Sequence, residues 1–91
     1  MGLNLLEKTE LWVNEITLEN ANLSDMADVV AEQLGLEKGK VLVVDVRPRH
    51  ITFDVLEKDV PQAGIMGKEQ AILSALSALP GVHLTEDSYI H

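Results

Sequence analysis

Three basic or potentially basic side chains lie together in the middle of the chain. Arg47, Arg49 and His50 surround Pro48 between two apolar runs, in a chain whose formal net charge is −8. Proline fixes its own φ and suits a turn, so we expect these side chains at the tip of a β-hairpin. The planar guanidinium of arginine suits a carboxylate or a phosphate. The tip is therefore a candidate site for a small anion, but the favoured interpretation is that the arginines pair with nearby carboxylates such as Asp45.

A loop before the second predicted helix is another place where backbone N–H groups could hold an anion. The run Ala63–Lys68, AGIMGK, leads into the N-terminus of that helix, where backbone donors favour negative charge. It lacks the glycine spacing and the Lys-Ser/Thr pair of a nucleotide-binding loop. We therefore expect an irregular connection over Lys58–Gly67 and no nucleotide site.

Residue types that usually carry catalysis or metal binding are scattered or absent. The histidines are His50, His83 and His91, far apart in the sequence. Glu86 and Asp87 are neighbours on a predicted strand, so their side chains point to opposite faces and do not chelate one ion. No nucleophile with a base and no glycine-rich dinucleotide turn can be recognised, and the chain has no cysteine. The sequence predicts no catalytic residue, no metal site and no cofactor.

The composition limits the partners. A net charge of −8 and a pI near 4.6 argue against nucleic acid and against an anionic membrane, because both need a basic face. No apolar run is long enough to span a bilayer, and the first residues lack the basic region of a signal peptide. The absence of cysteine fits a reducing compartment. We expect a cytoplasmic protein.

The elements that position the basic tip are two strands, predicted over 40–46 and 51–57. The second strand alternates strictly, with Ile51, Phe53 and Val55 on one face, which is the period of a half-buried strand. The first is apolar almost throughout. If one alternate set of its residues faces a core, Val41 and Val43 face the other side of the sheet.

Two helices and two further strands complete the pattern. A helix is predicted over 23–34 from its apolar spacing of three and four, with Asn22 as N-cap and Gly35 as its C-terminal glycine. A second helix is predicted over 68–79, ended by Pro80-Gly81. The outer strands are predicted over 10–19 and 82–90, the last with the weaker amphipathicity of an edge strand.

The element order is β-α-β-β-α-β, so 91 residues form one domain of split βαβ type. Right-handed crossovers put both helices on the same face of the sheet. The predicted fold is a ferredoxin-like α+β sandwich, with a four-stranded antiparallel sheet in the order 4-1-3-2.

One segment carries a family resemblance. The run 71–82, AILSALSALPGV, resembles the second helix and strand entry of ferredoxin-like regulatory domains, of which ACT domains are the nearest familiar example. The resemblance implies a regulatory domain. In ACT-like domains the turn after the first strand often contributes to an amino-acid site at a dimer interface; here that turn contains Asn20 and Asn22, without the glycine that such turns usually carry. Helix capping explains Asn22 equally well.

The sheet face opposite the helices is predicted to be an interface. Alternation places five aliphatic residues there: Leu11, Val13, Val41, Val43 and Leu56. Such a patch covers roughly a few hundred Å², and covering it is worth several kcal/mol at about 25 cal/mol per Å² before association costs. We expect it to be covered by a second copy of the chain or by the remainder of a longer protein. The apolar-containing end of the chain, Ser88–His91, favours a piece of a longer protein.

Three functions are compatible with these patterns. The first is a non-catalytic regulatory or interaction module that dimerises or docks through its open sheet face and senses a small anionic ligand. The second is an accessory domain of a larger enzyme, for example one that handles molybdopterin. The third is a small ferredoxin-like enzyme that uses Arg49 and His50.

Overall fold

The computed structural model describes residues 9–56, 65 and 67–90. Its elements are β1 (Thr9–Leu18), α1 (Leu23–Leu34), β2 (Val41–Arg47), β3 (His50–Val55), α2 (Glu69–Ser77) and β4 (Val82–Ile90). The predicted strand end at Glu57, most of the predicted loop Lys58–Gly67, the lead-in residues 1–8 and His91 lie outside the described residues.

The sheet has the order β2-β3-β1-β4, and each neighbouring pair is antiparallel. The two helices contact each other and pack on one face of the sheet. The predicted ferredoxin-like α+β fold is therefore confirmed, including the strand order. β2 and β4 form the two edges.

The ends of α1 follow directly from the sequence. The Asn22 side chain accepts a hydrogen bond from the Asp25 backbone N–H at 3.0 Å, which satisfies one of the free donors of the first turn. Gly35 has a φ of +74°, the left-handed conformation that ends many helices. The next residue, Leu36, donates from its N–H to the Ala31 carbonyl at 2.9 Å and closes the last turn.

α2 is shorter than the predicted 68–79, because its last turn tightens. The N–H groups of Ala78 and Leu79 each bond to the carbonyl three residues back, as in a 3₁₀ turn. Gly81 then has a φ of +80° and accepts a hydrogen bond from the Glu19 N–H at 2.8 Å. A Cβ on Gly81 would lie 2.3 Å from the Glu19 carbonyl oxygen, so only glycine fits where these two connections meet.

The core lies between the helices and one sheet face. Its largest fully buried side chains come from the two central strands, β1 and β3, and from both helices: Phe53, Leu11, Ile16, Met26, Ile51, Ile72, Leu76, Val13, Val30 and Val55. Ile65 is also buried in this cluster.

Four of the five predicted interface residues lie on the helix side of the sheet. Leu11, Val13 and Val41 are buried in the core on the helix side, and Val43 packs against that core. Leu56 is half-buried. The prediction of an aliphatic open face made of these side chains was therefore wrong.

Two β-bulges explain the error. The β1–β4 register shifts between Asn14 and Ile16, where Glu15 has a φ of +59°. Because Glu15 interrupts the alternation of β1, Val13 and Ile16 both face the core although their spacing is odd. The β2–β3 register shifts at Val44, where β2 advances two residues against one on β3. An uninterrupted alternation carried across either point assigns every later side chain to the opposite face.

Candidate functional site

The open face of the sheet is built from cross-strand rows. From β2 towards β4 the pairing gives one row of Leu42, Asp54 and Glu10, a second of Asp45, Thr52 and Trp12, and a third of Arg47, His50, Asn14 and Tyr89. The central strand β3 therefore contributes only polar side chains to this face. Two of them, Asp54 and Thr52, are 6% and 7% exposed. The open face therefore has a polar strip along its centre, whereas the sequence predicted an aliphatic surface there.

His50 lies at the centre of a hydrogen-bonded chain. Its Nδ1 is 3.0 Å from Asn14 Oδ1, and its Nε2 is 3.0 Å from Thr52 Oγ1. Because the Asn14 oxygen only accepts, neutral His50 carries its proton on Nδ1, and the Thr52 hydroxyl donates to Nε2. Trp12 stands edge-to-face against the imidazole, with ring centroids 5.6 Å apart and planes at 78°. The histidine is thus fixed on both nitrogens.

A shallow groove runs over this polar strip. It has a volume of about 410 Å³, and Trp12 lies on its β1 side. Asp45, Arg47 and Pro48 line the opposite side, with His50 and Thr52 also in its lining. We call it the Trp12 groove. It combines an exposed aromatic ring, an ion pair and a fixed imidazole in one place.

The two arginines of the hairpin tip serve different contacts. Arg47 Nε is 2.9 Å from Asp45 Oδ2 on the same strand, at the rim of the Trp12 groove. Arg49 donates from its guanidinium to Glu15 on β1, with Nε 2.9 Å from Oε1. Both guanidinium groups thus pair with a carboxylate, which is the interpretation favoured for the tip.

The contact between Arg49 and Glu15 is reciprocal. The Glu15 N–H donates to the Arg49 carbonyl at 2.9 Å, while the Arg49 side chain donates to the Glu15 carboxylate. Both residues have positive φ, +66° and +59°. Proline at 48 followed by a positive φ at 49 is the pattern of a type II turn, where glycine or asparagine is usual. Ser88 Oγ donates to the Glu15 carbonyl at 2.7 Å, so β4 holds the same bulge.

The other predicted ligand residues lie in the turn after β1. Asn22 caps α1 through its side chain, and Asn20 has a φ of +56°, which asparagine tolerates in turns. Within the described residues no hydrogen bond or ion pair joins either side chain to the hairpin tip. The structure places Arg47 and His50 on the open face, Arg49 against the β1 bulge, and the asparagines in local turn geometry.

Sequence reasoning missed three members of the site: Trp12, Asn14 and Thr52. Alternation alone groups Trp12 with Asn14 and, separately, Thr52 with Asp54. The register that sets Trp12 opposite Thr52 and Asn14 opposite His50 joins these two sets on one face. That register follows from the packing of β1 against β3, two strands far apart in the sequence.

The described residues contain no group of three or more histidine, aspartate or glutamate side chains arranged to hold a metal ion. Among the same residues, no helix is long and apolar enough to cross a membrane. No family model, curated protein or solved structure matches the chain.

Proposed function

We propose that this domain is a non-catalytic interaction module that self-associates through the edge strand β2. The observation that supports this is exposure along that edge. Leu42, Val44 and Val46 are 46%, 49% and 46% exposed, on a strand with one edge free in the sheet order. A β-branched edge strand without lysine or proline offers its backbone groups and side chains to another strand.

The opposite edge is protected. β4 carries Glu86 and Asp87, and its pairing with β1 is irregular between residues 84 and 89. Side-chain hydroxyls occupy backbone donors in this stretch: the Thr85 N–H donates to Ser88 Oγ, and the Asp87 N–H donates to Thr85 Oγ1. Charges and bulges at an edge discourage strand addition. β2 also has a bulge, at Val44, but its charged residues Asp45 and Arg47 pair with each other. The difference at β4 is that its side chains occupy backbone donors that an added strand would need. The contrast supports pairing at β2 rather than at β4.

A second copy of the chain is the occupant that the charge pattern favours. The segment 40–47 carries Lys40 and Arg47 against Asp45, two positive charges and one negative, so its net charge is +1 in a chain of −8. Two β2 edges can therefore meet without the acid–acid repulsion expected of most of this surface. Two-fold pairing of β2 strands also gives a closed dimer that does not grow further, because each protomer then presents only its protected β4 edge. The product is an eight-stranded sheet.

The same geometry supports an enzyme less well. Asn14, His50 and Thr52 form a chain of orienting amide, imidazole and hydroxyl, the order found in nucleophilic catalysis. Thr52, however, is 7% exposed and lies between Trp12 and Asp45 on its neighbouring strands. A hydroxyl so enclosed is poorly placed to attack a substrate. Regulation of the ACT-like kind and a cytoplasmic location remain predictions that accompany the module.

The oligomeric state tests the proposal. Sedimentation equilibrium or light scattering on the purified chain should give a dimer, and Val44→Lys should give a monomer, because a lysine at the edge blocks strand addition. Ala71→Lys, an exposed position on α2, is the matched control and should remain dimeric. Circular dichroism should show that both variants are folded, since surface changes usually cost within about 0.5 kcal/mol. A native chain that stays monomeric at high concentration would overturn the proposal and favour an accessory domain whose β2 edge is covered by other sequence.

A further inference from the structure

We infer that the two-fold axis of the proposed dimer passes beside Leu42, so that only residues 41–43 of each β2 strand form the ladder between the copies. This register rests on the self-association proposed above and states which half of the edge carries it. It follows from the direction of the backbone groups, from the bulge in β2 and from a groove beside the strand.

Backbone direction identifies the groups that β2 offers at its free edge. The Leu56 N–H donates to the Lys40 carbonyl at 2.7 Å, so Lys40 directs its backbone groups towards β3. Alternate residues of an antiparallel strand bond to the same neighbour, so the backbone of Leu42 also faces β3. Val41 and Val43 therefore direct their N–H and C=O groups to the free edge.

The bulge at Val44 interrupts this free edge. The register there advances two residues on β2 against one on β3, so the next residue that faces the edge is Val46, three residues after Val43. An antiparallel ladder takes its bonds from every second residue, and a bulge also bends the strand. A register centred on the bulges would set Val44 opposite Asp45 of the second copy, an apolar side chain against a carboxylate. The regular half, residues 41–43, is therefore the half that pairs with itself.

Two-fold pairing of this half gives one register. Val41 pairs with Val43 of the second copy, and Leu42 lies opposite Leu42 of the second copy as a non-hydrogen-bonded pair. The Cα atoms of such a pair are about 4.5 Å apart, which is the closest approach in the ladder. Leu42 is 46% exposed in the single chain, so pairing removes apolar surface from water at the axis itself. All three residues of the ladder are aliphatic, which suits cross-strand contacts.

A groove beside the same half of β2 supplies further contact area. It has a volume of about 340 Å³ between α1 and β2, and its lining includes Leu23, Ala27 and residues 41–43. A stable dimer buries about 800 Å² on each partner, more than a ladder of three residues provides. A two-fold axis at Leu42 turns this groove towards its copy, so the exposed Leu23 is covered in the dimer. The groove near Val46 is lined instead by the end of β1 and the hairpin tip, so the half beyond the bulge does not bring α1 to an axis.

Single cysteines test the register, because the native chain has no cysteine. Under mild oxidation Leu42→Cys should give a covalent dimer on a non-reducing gel, since its two sulfurs meet at the axis. Val46→Cys is the matched control, with the same 46% exposure on the same strand. Position 46 falls opposite position 38 of the second copy, eight residues or about 26 Å from the other cysteine, so this variant should stay uncrosslinked. The double variant Lys40→Cys/Val44→Cys keeps Leu42 and should crosslink, because the register sets position 40 opposite position 44.

Sedimentation equilibrium measures the same surface without a crosslink. Leu42→Ser and Leu23→Ser should each raise the dimer dissociation constant by about tenfold, because each removes apolar contact at two symmetric places, whereas Val46→Ser should change it by less than about twofold. Equal effects of the three serine variants would overturn the register. So would a dimeric native chain in which neither Leu42→Cys nor the double variant crosslinks, or in which Val46→Cys crosslinks as readily; self-association would stand in each case. A monomeric native chain would overturn the proposed function together with its register.

Discussion

Arg49→Gly should be more stable than Arg49→Ala, although glycine usually destabilises an ordered chain. Arg49 is the second of the two central residues of its turn and has a φ of +66°. For a residue with a Cβ this conformation costs roughly 1–2 kcal/mol. Glycine removes that cost and alanine keeps it, while both substitutions delete the ion pair with Glu15 equally.

The magnitude follows from two opposing terms. Releasing the strain gains about 1–2 kcal/mol, and the greater freedom of unfolded glycine costs about 0.5–1 kcal/mol. The difference between these terms spans about 0–1.5 kcal/mol, and we expect the glycine variant to be more stable than the alanine variant by about 0.75 kcal/mol, the middle of that range. The ion pair contributes roughly 0.2–1 kcal/mol, because the Arg49 side chain is largely exposed, and this contribution cancels in the comparison.

Arg47 provides the control two residues earlier. It lies in β2, outside the positive-φ residues, and also forms an ion pair, with Asp45. There the order should reverse, with Arg47→Gly less stable than Arg47→Ala by about 0.5–1 kcal/mol, because only the entropy term remains. A sign change between the two positions is therefore the diagnostic result.

Urea unfolding followed by Trp12 fluorescence measures all four variants. The free-energy differences come from the midpoints if the slopes agree. If Arg49→Ala is as stable as Arg49→Gly, or more stable, Arg49 carries no backbone strain in solution and the reasoning fails. Glu15 has a φ of +59° in the β1 bulge, and comparing the unfolding free energies of Glu15→Gly and Glu15→Ala would then test whether that residue is strained.

Three further predictions test the face assignment and the connections. Leu11→Ala should destabilise by about 2–5 kcal/mol because Leu11 is fully buried, whereas Leu42→Ala should cost less than about 1 kcal/mol; equal costs in urea unfolding would contradict the observed faces. Gly35→Ala should lower the free energy of unfolding by about 1–2 kcal/mol through its positive φ alone, whereas Gly81→Ala should lower it further because its Cβ also clashes with the backbone. If both variants lose the same melting temperature, the backbone clash at Gly81 is refuted. Asn22→Ala should cost about 1 kcal/mol and Asn22→Ser almost nothing, since serine retains the helix cap; equal melting temperatures for the two variants would show that the cap adds nothing.

Local chemistry made much of the fold predictable. Apolar spacing, Asn22 and Gly35 gave α1 its observed bounds, because helix caps act within one turn of the residues that form them. Pro48 correctly indicated the hairpin. The predicted strand bounds left a loop of four residues, 47–50, but Arg47 pairs with His50, so the observed loop has only two. Topological rules then limited the sheet to the observed strand order.

The candidate site was predictable only in part. His50 and Arg47 were found because basic residues in an acidic chain stand out locally. Their neighbours Trp12 and Asn14 lie more than thirty residues away and reach His50 only through the β1–β3 register. Arg49 was grouped with Arg47 and His50 because it is adjacent to them in sequence. In the structure it has a positive φ, and its side chain contacts Glu15 rather than the groove that contains the other two.

The sequence by itself determined which segments become helices and strands, and in what order they join, because propensities, caps and turns act over a few residues. Alternation also gave the two faces of β3, but tertiary structure alone decided which side of the sheet the residues of β1 and β2 face. At Glu15 and at Val44 the pairing with a neighbouring strand shifts register. Since a shift of one residue exchanges the two faces of a strand, the core, the β2 edge and the Trp12 groove all depend on contacts between distant segments.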